Sequence, residues 1–134
     1  NVSRLLVPAG YDFRPFLDSM QSWEQVDNHN RYHNNYDYQK SLLLVNRVPH
    51  LDNGFLLLTE SMQLVSPISV LHYSEYQDET DLHQQLADVA DKTQIVVSAQ
   101  GWFPGSVPAG QAQQPGVADY ADGVDTMAFL TSLP

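Results

Sequence analysis

Residues 67–98 read PISVLHYSEYQDETDLHQQLADVADKTQIVVS, and the succession of patterns in this stretch decides the fold class. Ile68-Ser69-Val70-Leu71-His72-Tyr73 is a strand-like run rich in β-branched and aromatic side chains, and Gln94-Ile95-Val96-Val97-Ser98 is a second. Between them, Leu82, Leu86, Val89 and Ala90 fall on one face of a helix opening near residues 78–80, where acidic side chains complement the positive end of the helix dipole. Strand, helix and strand within about 30 residues describe a βαβ unit. Such units join parallel strands by a right-handed crossover, so the expected class is α/β, a mostly parallel sheet flanked by helices.

Upstream, Val2-Ser3-Arg4-Leu5-Leu6-Val7 predicts a strand that begins almost with the chain, and Pro8-Ala9-Gly10 a turn after it. Phe13, Phe16, Leu17 and Met20 recur at i, i+3, i+4 and i+7, the stripe of an amphipathic helix, with Asp12 as N-cap and Pro15 in the first turn. The polar stretch 21–35, rich in Asn and His, predicts a long connection with one short strand near Trp23–Val26. A second helix is expected from Tyr36 through Leu42, Leu43, Leu44 and Val45, stopped by Pro49. Asp52-Asn53-Gly54 is a turn signal, and Phe55-Leu56-Leu57-Leu58 reads as a buried strand. Downstream of Ser98, residues 101–116 carry four Gly and three Pro and predict a loop, followed by the short apolar tail Met127-Ala128-Phe129-Leu130.

Composition narrows the function classes. With 134 residues, the chain is long enough to bury a core without disulfides or a structural metal. Its formal net charge is −10, and the six basic residues Arg4, Arg14, Arg31, Lys40, Arg47 and Lys92 are scattered singly, which argues against nucleic-acid or anionic-membrane binding. No apolar run reaches the length of a membrane span, and no signal peptide is legible, so a cytoplasmic location is expected. The sequence has no cysteine, which removes a disulfide framework, a Cys-based zinc site and a thiol nucleophile from these residues. The strand starting abruptly after Asn1 points to a chain cut from something longer.

Motifs that could carry chemistry on their own are weak. His29 and His33 stand at i, i+4, as a helical metal pair would, but no third ligand follows at readable spacing, so solvated loop histidines are expected and no metal. Asp119, Asp122 and Asp125 do not match the alternating ligands of an EF-hand loop, and a turn around Gly123 is the simpler reading. No Gly-x-Ser-x-Gly elbow exposes a serine nucleophile. The segment 108–113 lacks the cations and preceding strand of a phosphate-binding loop and reads as surface. Tyr32, Tyr36 and Tyr38 are expected to pack rather than to stack on a ligand.

Several segments, taken in order, resemble the C-terminal part of the LuxC-type acyl-CoA reductases, a branch of the aldehyde dehydrogenase superfamily. They are Asn1-Val2-Ser3-Arg4-Leu5 with Gly10-Tyr11-Asp12-Phe13, then Asn34-Asn35-Tyr36-Asp37-Tyr38, then residues 51–58 and Ser66-Pro67-Ile68-Ser69-Val70-Leu71. The last are Gly110-Gln111-Ala112-Gln113 and the stretch 119–126 (DYADGVDT). The resemblance spans nearly the whole chain and implies a partial catalytic domain of aldehyde dehydrogenase-like fold. It further implies a parent enzyme that reduces fatty acyl-CoA or acyl-protein thioesters to aldehyde with NADPH, through an acyl-cysteine intermediate. The nucleophilic cysteine would lie shortly upstream of Asn1, with the cofactor-binding domain further upstream, in the missing N-terminal part of the same polypeptide. No catalytic residue is then expected in this chain.

The superfamily places a Glu before a Gly-Pro pair against the cofactor ribose. Here the matching stretch is Met62-Gln63-Leu64-Val65-Ser66-Pro67, which makes Gln63 the cofactor-contact candidate. The superfamily's Pro-Phe-Gly loop at the acyl pocket resembles Pro108-Ala109-Gly110, with Ala109 in place of the aromatic. Ala109, Gly110, Gln111 and Gln113 are the implied substrate-pocket residues, and homo-oligomerisation is implied as well. The contrasting expectation is a non-catalytic binding or interaction module that retains the fold without the nucleophile, which requires a complete, capped sheet.

Overall fold

The computed structural model describes residues 2–116, 119–120 and 124–133. They form two compact units, Asn1–Gln85 and Leu86–Pro134. The chain is α/β, with a mixed, mostly parallel four-stranded sheet, a separate two-stranded sheet and four α-helices among the described residues.

The first unit holds β1 (Arg4–Pro8), β2 (His50–Asp52), β3 (Leu57–Glu60) and β4 (Val70–Tyr76) in the order β1-β4-β3-β2. β4 pairs in parallel with both β1 and β3, while β2 and β3 form an antiparallel hairpin. Successive residues of a strand point to opposite faces, and each face carries its own core. On one, Val7, Leu58 and Leu71 pack with Phe13 and, at its margin, Phe16 and Leu17, all three from the start of the chain. On the other, Leu57 and Val70 pack with Tyr36 and Leu43. These partners belong to α1 (Arg14–Met20) and α2 (Asn30–Val45), with Phe13 at the N-cap of α1, so the two helices cover opposite faces of one sheet.

α1 follows the expected stripe, although Phe13 rather than Asp12 occupies the cap position; Asp12 Oδ1 instead accepts the Arg14 N–H at 3.0 Å. The stretch 21–35 is not a connection with a strand. It forms a 3-10 helix over Gln21–Asn28 and then the first turns of α2, which starts at Asn30 rather than Tyr36. Weak helix formers are held there by side-chain anchors, the Tyr32 hydroxyl donating to Phe55 O at 3.0 Å and Asn35 Nδ2 to Arg31 O at 2.7 Å. Tertiary contacts override propensity in this segment. α2 ends at Val45 before Pro49, as expected.

The βαβ unit read from residues 67–98 does not form as such. Its first strand is β4 and its helix is α3 (Glu79–Ala87), but the second strand shortens to β5 (Val97–Ser98) and pairs with β6 (Val107–Pro108) in the two-stranded sheet. Ile95 and Val97 are exposed, so this apolar run is not the doubly buried strand its composition imitates. The parallel neighbours of β4 are instead β1 and β3, the latter joined to it by the helix-free connection 61–69. An extended segment of that length reaches roughly 30 Å, ample to return along a strand of roughly 13 Å.

The second unit holds β5, β6 and α4 (Thr126–Ser132), whose first turn is capped by Asp125 Oδ1 accepting from Ala128 N at 2.9 Å. The expected loop 101–116 thus contains β6 and otherwise stays irregular. The turn expected around Gly123, with Asp122, lies outside the described residues, as does Asn1. No described helix is long and apolar enough to cross a membrane.

Candidate functional site

Register places four polar residues in one row across the first sheet: Arg4, His72, Thr59 and His50. His72 and Thr59 are buried at 5% exposure each, and each is committed to a backbone carbonyl. His72 Nδ1 donates to Gln63 O at 3.2 Å, Thr59 Oγ1 to Pro49 O at 3.1 Å, and His50 Nδ1 to Val48 O at 2.8 Å. A carbonyl only accepts, so both imidazoles carry their proton on Nδ1. Arg4 Nη1 donates to Met62 O at 3.0 Å. Two neighbouring side chains of the row therefore hold the consecutive carbonyls of Met62 and Gln63, pinning the 61–69 connection over the sheet. The Gln63 side chain is left exposed at its start.

A second cluster ties α2 to the β2–β3 turn. The Tyr36 hydroxyl donates to Asp52 Oδ1 at 2.7 Å, and Lys40 Nζ, one helical turn on, lies 2.7 Å from Asp52 Oδ2 and 3.1 Å from the Tyr36 hydroxyl. Burial pushes the Asp52 carboxyl up, but hydrogen bonds from Lys40, the Gly54 N–H and Tyr36 outweigh it and hold the group below the ordinary carboxylate value. The bond to Asp52, followed by that to Tyr36, raises Lys40 above the usual lysine range. Burial first and then Asp52 raise Tyr36. These contacts tie α2 to the β2–β3 turn.

The third cluster lies at the start of α2. His33 Nδ1 faces Asp27 Oδ1 and Oδ2 at 2.9 and 3.0 Å, and Nε2 faces Asp37 Oδ2 at 3.3 Å. The Asp27 hydrogen bond, then the charges of Asp27 and Asp37, raise the His33 pKa. The two carboxylates sit at opposite ring nitrogens and cannot converge with the ring on one ion. His29 is the N-cap residue of α2, outside the helix, so the i, i+4 pair does not form a helical metal site. Among the described residues no group of three His, Cys, Asp or Glu is arranged to hold a metal ion.

Next to this cluster, Gln21, Glu24, Asp27 and Asn28 face Asn53, Gly54 and Phe55 across an open cleft of about 280 Å³. Its acidic side chains offer no cation for a phosphate. Tyr36 is core, Tyr32 anchors the turn at Phe55, and Tyr38 is exposed.

The implied substrate-pocket residues belong to the second unit. Ala109, Gly110, Gln111 and Gln113 are all exposed, on two consecutive turns in which Gln111 N donates to Pro108 O and Gln114 N to Gln111 O. Gly110 has φ +88°, a conformation that disfavours any other residue. Gln63 lies in the first unit, so the candidate residues form two groups, each on an exposed connection. Sequence reading missed the Tyr36–Lys40–Asp52 and Asp27–His33–Asp37 clusters, although Tyr36/Lys40 and His33/Asp37 each stand at the i, i+4 spacing that puts side chains in contact on a helix.

Compared with profiles of known families, with curated proteins and with solved structures, the chain matches none.

Proposed function

We propose that the chain is the C-terminal portion of a NAD(P)H-dependent long-chain fatty acyl-CoA reductase that forms aldehyde through an acyl-cysteine intermediate. The observation that carries this reading is the ordered set of family-like segments from residue 1 to residue 126, in a sequence without a single cysteine. The chemistry needs a thiolate to attack the thioester carbonyl, expel the carrier thiol and present the acyl group to hydride. These residues contribute the sheet and the exposed connections at Gln63 and at Ala109–Gln113, while thiol and dinucleotide site come from the upstream part of the same polypeptide. A partial catalytic domain of aldehyde dehydrogenase-like fold accommodates the α/β architecture, the parallel β1-β4-β3 core and the helices on both faces.

One observation favours a second reading, a non-catalytic module: the four-stranded sheet is already covered on both faces, by α1 and α2. The two separate in an assay with a long-chain acyl-CoA and NADPH. The proposal expects no NADPH consumption by the 134-residue chain and consumption by the polypeptide extended upstream through its cysteine. Reduction by the short chain, or an extended polypeptide with no acylatable cysteine, contradicts it.

A further inference from the structure

Asn53 Oδ1 accepts two backbone N–H groups, from Phe55 at 3.2 Å and Leu56 at 2.9 Å, which fixes the orientation of the amide. Its Nδ2 is then buried with no hydrogen-bond partner. A buried unpaired donor calls for an explanation, because leaving it unsatisfied carries a desolvation cost. The next residue is Gly54, at φ +100°, with open space where a Cβ would stand, and its N–H donates to Asp52 Oδ1 at 2.8 Å.

These contacts assemble the parts of an intramolecular acyl transfer. The two N–H donors polarise the Asn53 Cγ carbonyl and stabilise the oxyanion that forms when it is attacked. The Asp52 carboxylate sits on the proton that the attacking nitrogen must lose, and the unbranched Gly54 leaves that nitrogen unhindered. The leaving nitrogen is the atom no protein group holds. Glu24 and Asp27 line the same open cleft as Asn53 and Gly54, whose water receives the departing ammonia.

We infer that Asn53-Gly54 is a built-in self-modification site, at which the fold promotes succinimide formation and deamidation. The Gly54 nitrogen forms a bond to Asn53 Cγ and its proton passes to Asp52. The Cγ–Nδ2 bond breaks, and the nitrogen takes up that proton and leaves as ammonia. Water from the cleft then opens the cyclic imide, giving aspartate or isoaspartate at position 53, with no oxidant or reductant involved. The product adds a carboxylate beside Asp52, in the turn that Lys40 and Tyr36 tie to α2, and so converts a neutral turn residue into a charged one next to an acidic cleft.

The test is a time course of the full 134-residue chain at neutral pH and 37 °C, read by peptide mass and isoaspartate content of the proteolytic fragment spanning residues 48–92. The same chain held unfolded in denaturant is the comparator, so no variant has to fold. Conversion at Asn53 about tenfold faster in the folded chain is expected. An equal or slower rate in the folded chain overturns the inference. Asp52→Asn, checked for native circular dichroism, removes the proton acceptor and is expected to slow the folded chain's conversion about tenfold; an unchanged rate in a folded variant also overturns it. Ammonia release from Asn53→Asp at the wild-type rate would place the chemistry elsewhere and contradict it equally.

Discussion

Residues 2–85 and residues 86–133 are built by different means. Among the described residues, every buried apolar side chain except Phe103 belongs to the first region, including Leu57 and Leu58 at 0% exposure. Its sheet is closed on both faces by helices. The described strands of the second region are the short β5–β6 pair, held by hydroxyls: Ser98 Oγ and Ser106 Oγ lie 2.6 Å apart, Ser106 Oγ donates to Phe103 O, and Phe103 N donates to Ser98 Oγ. In α4, Met127, Phe129 and Leu130 are more than half exposed. Burial of apolar area is the dominant source of stability, so the first region is expected to fold as the cooperative unit and the second to open locally at much lower cost.

The largest effect that can break this comparison comes from the first core. Leu58→Ala leaves a cavity in a fully buried site and is expected to cost about 2–5 kcal/mol, read as a lowered midpoint in urea unfolding. Phe103→Ala should leave that transition in place and instead abolish amide protection over residues 97–108 in hydrogen exchange. A global loss from Phe103→Ala as large as that from Leu58→Ala would show the two regions to be one cooperative core.

Next in size is the tie between α2 and the hairpin. Tyr36→Phe removes one hydrogen bond to Asp52 while keeping the ring in the core, and about 1 kcal/mol is expected. Asp52 lies below its unfolded value, so its contribution is present above the ordinary aspartate range and fades as pH falls through the folded value. His33 runs the other way. Its folded value is raised, so the contribution of its carboxylate clasp is complete below the ordinary histidine value and is lost as pH rises through the folded one. The stability difference between wild type and His33→Asn, followed by urea unfolding, should shrink from mildly acidic to alkaline pH. A difference that grows over that range contradicts the clasp.

The smallest effects belong to the exposed candidates. Gln63→Ala, Gln111→Ala and Gln113→Ala should each change stability by no more than about 0.5 kcal/mol, since all three residues are exposed. If the proposed reductase reading holds, in the polypeptide extended upstream they are expected to raise KM or lower kcat. Stability losses above 1–2 kcal/mol would make them structural instead.

How far the sequence could be read follows from the same contrast. Phe13, Phe16 and Leu17, and the block ending in Leu57 and Leu58, announce themselves because burial imposes a period or a dense apolar run. The class α/β and α1 were legible for that reason, the 52–54 turn from its Asp-Asn-Gly chemistry, and the C-terminal half of α2 from an apolar run of which Leu42, Leu44 and Val45 are in fact exposed. The first half of α2 was not, since Tyr32 and His33 are held by contacts with Phe55 and Asp27 that no local pattern records. The pairing partner of the 95–97 run was equally hidden. A short apolar segment looks the same whether it enters the main sheet or forms a two-residue bridge with Val107 and Pro108. At the candidate site, Gln63, Ala109, Gly110, Gln111 and Gln113 rest on resemblance alone, and what the geometry adds is the pinning of the Gln63 connection by Arg4 and His72.

The central claim is that these residues work as part of a longer polypeptide that carries the thiol. The most direct measurement is the intact mass of the native gene product purified from its source cell. The account predicts a mass well above 15.1 kDa, with a cysteine shortly before the Asn1 of this sequence. A native mass near 15.1 kDa would contradict it and leave a free-standing domain without a nucleophile.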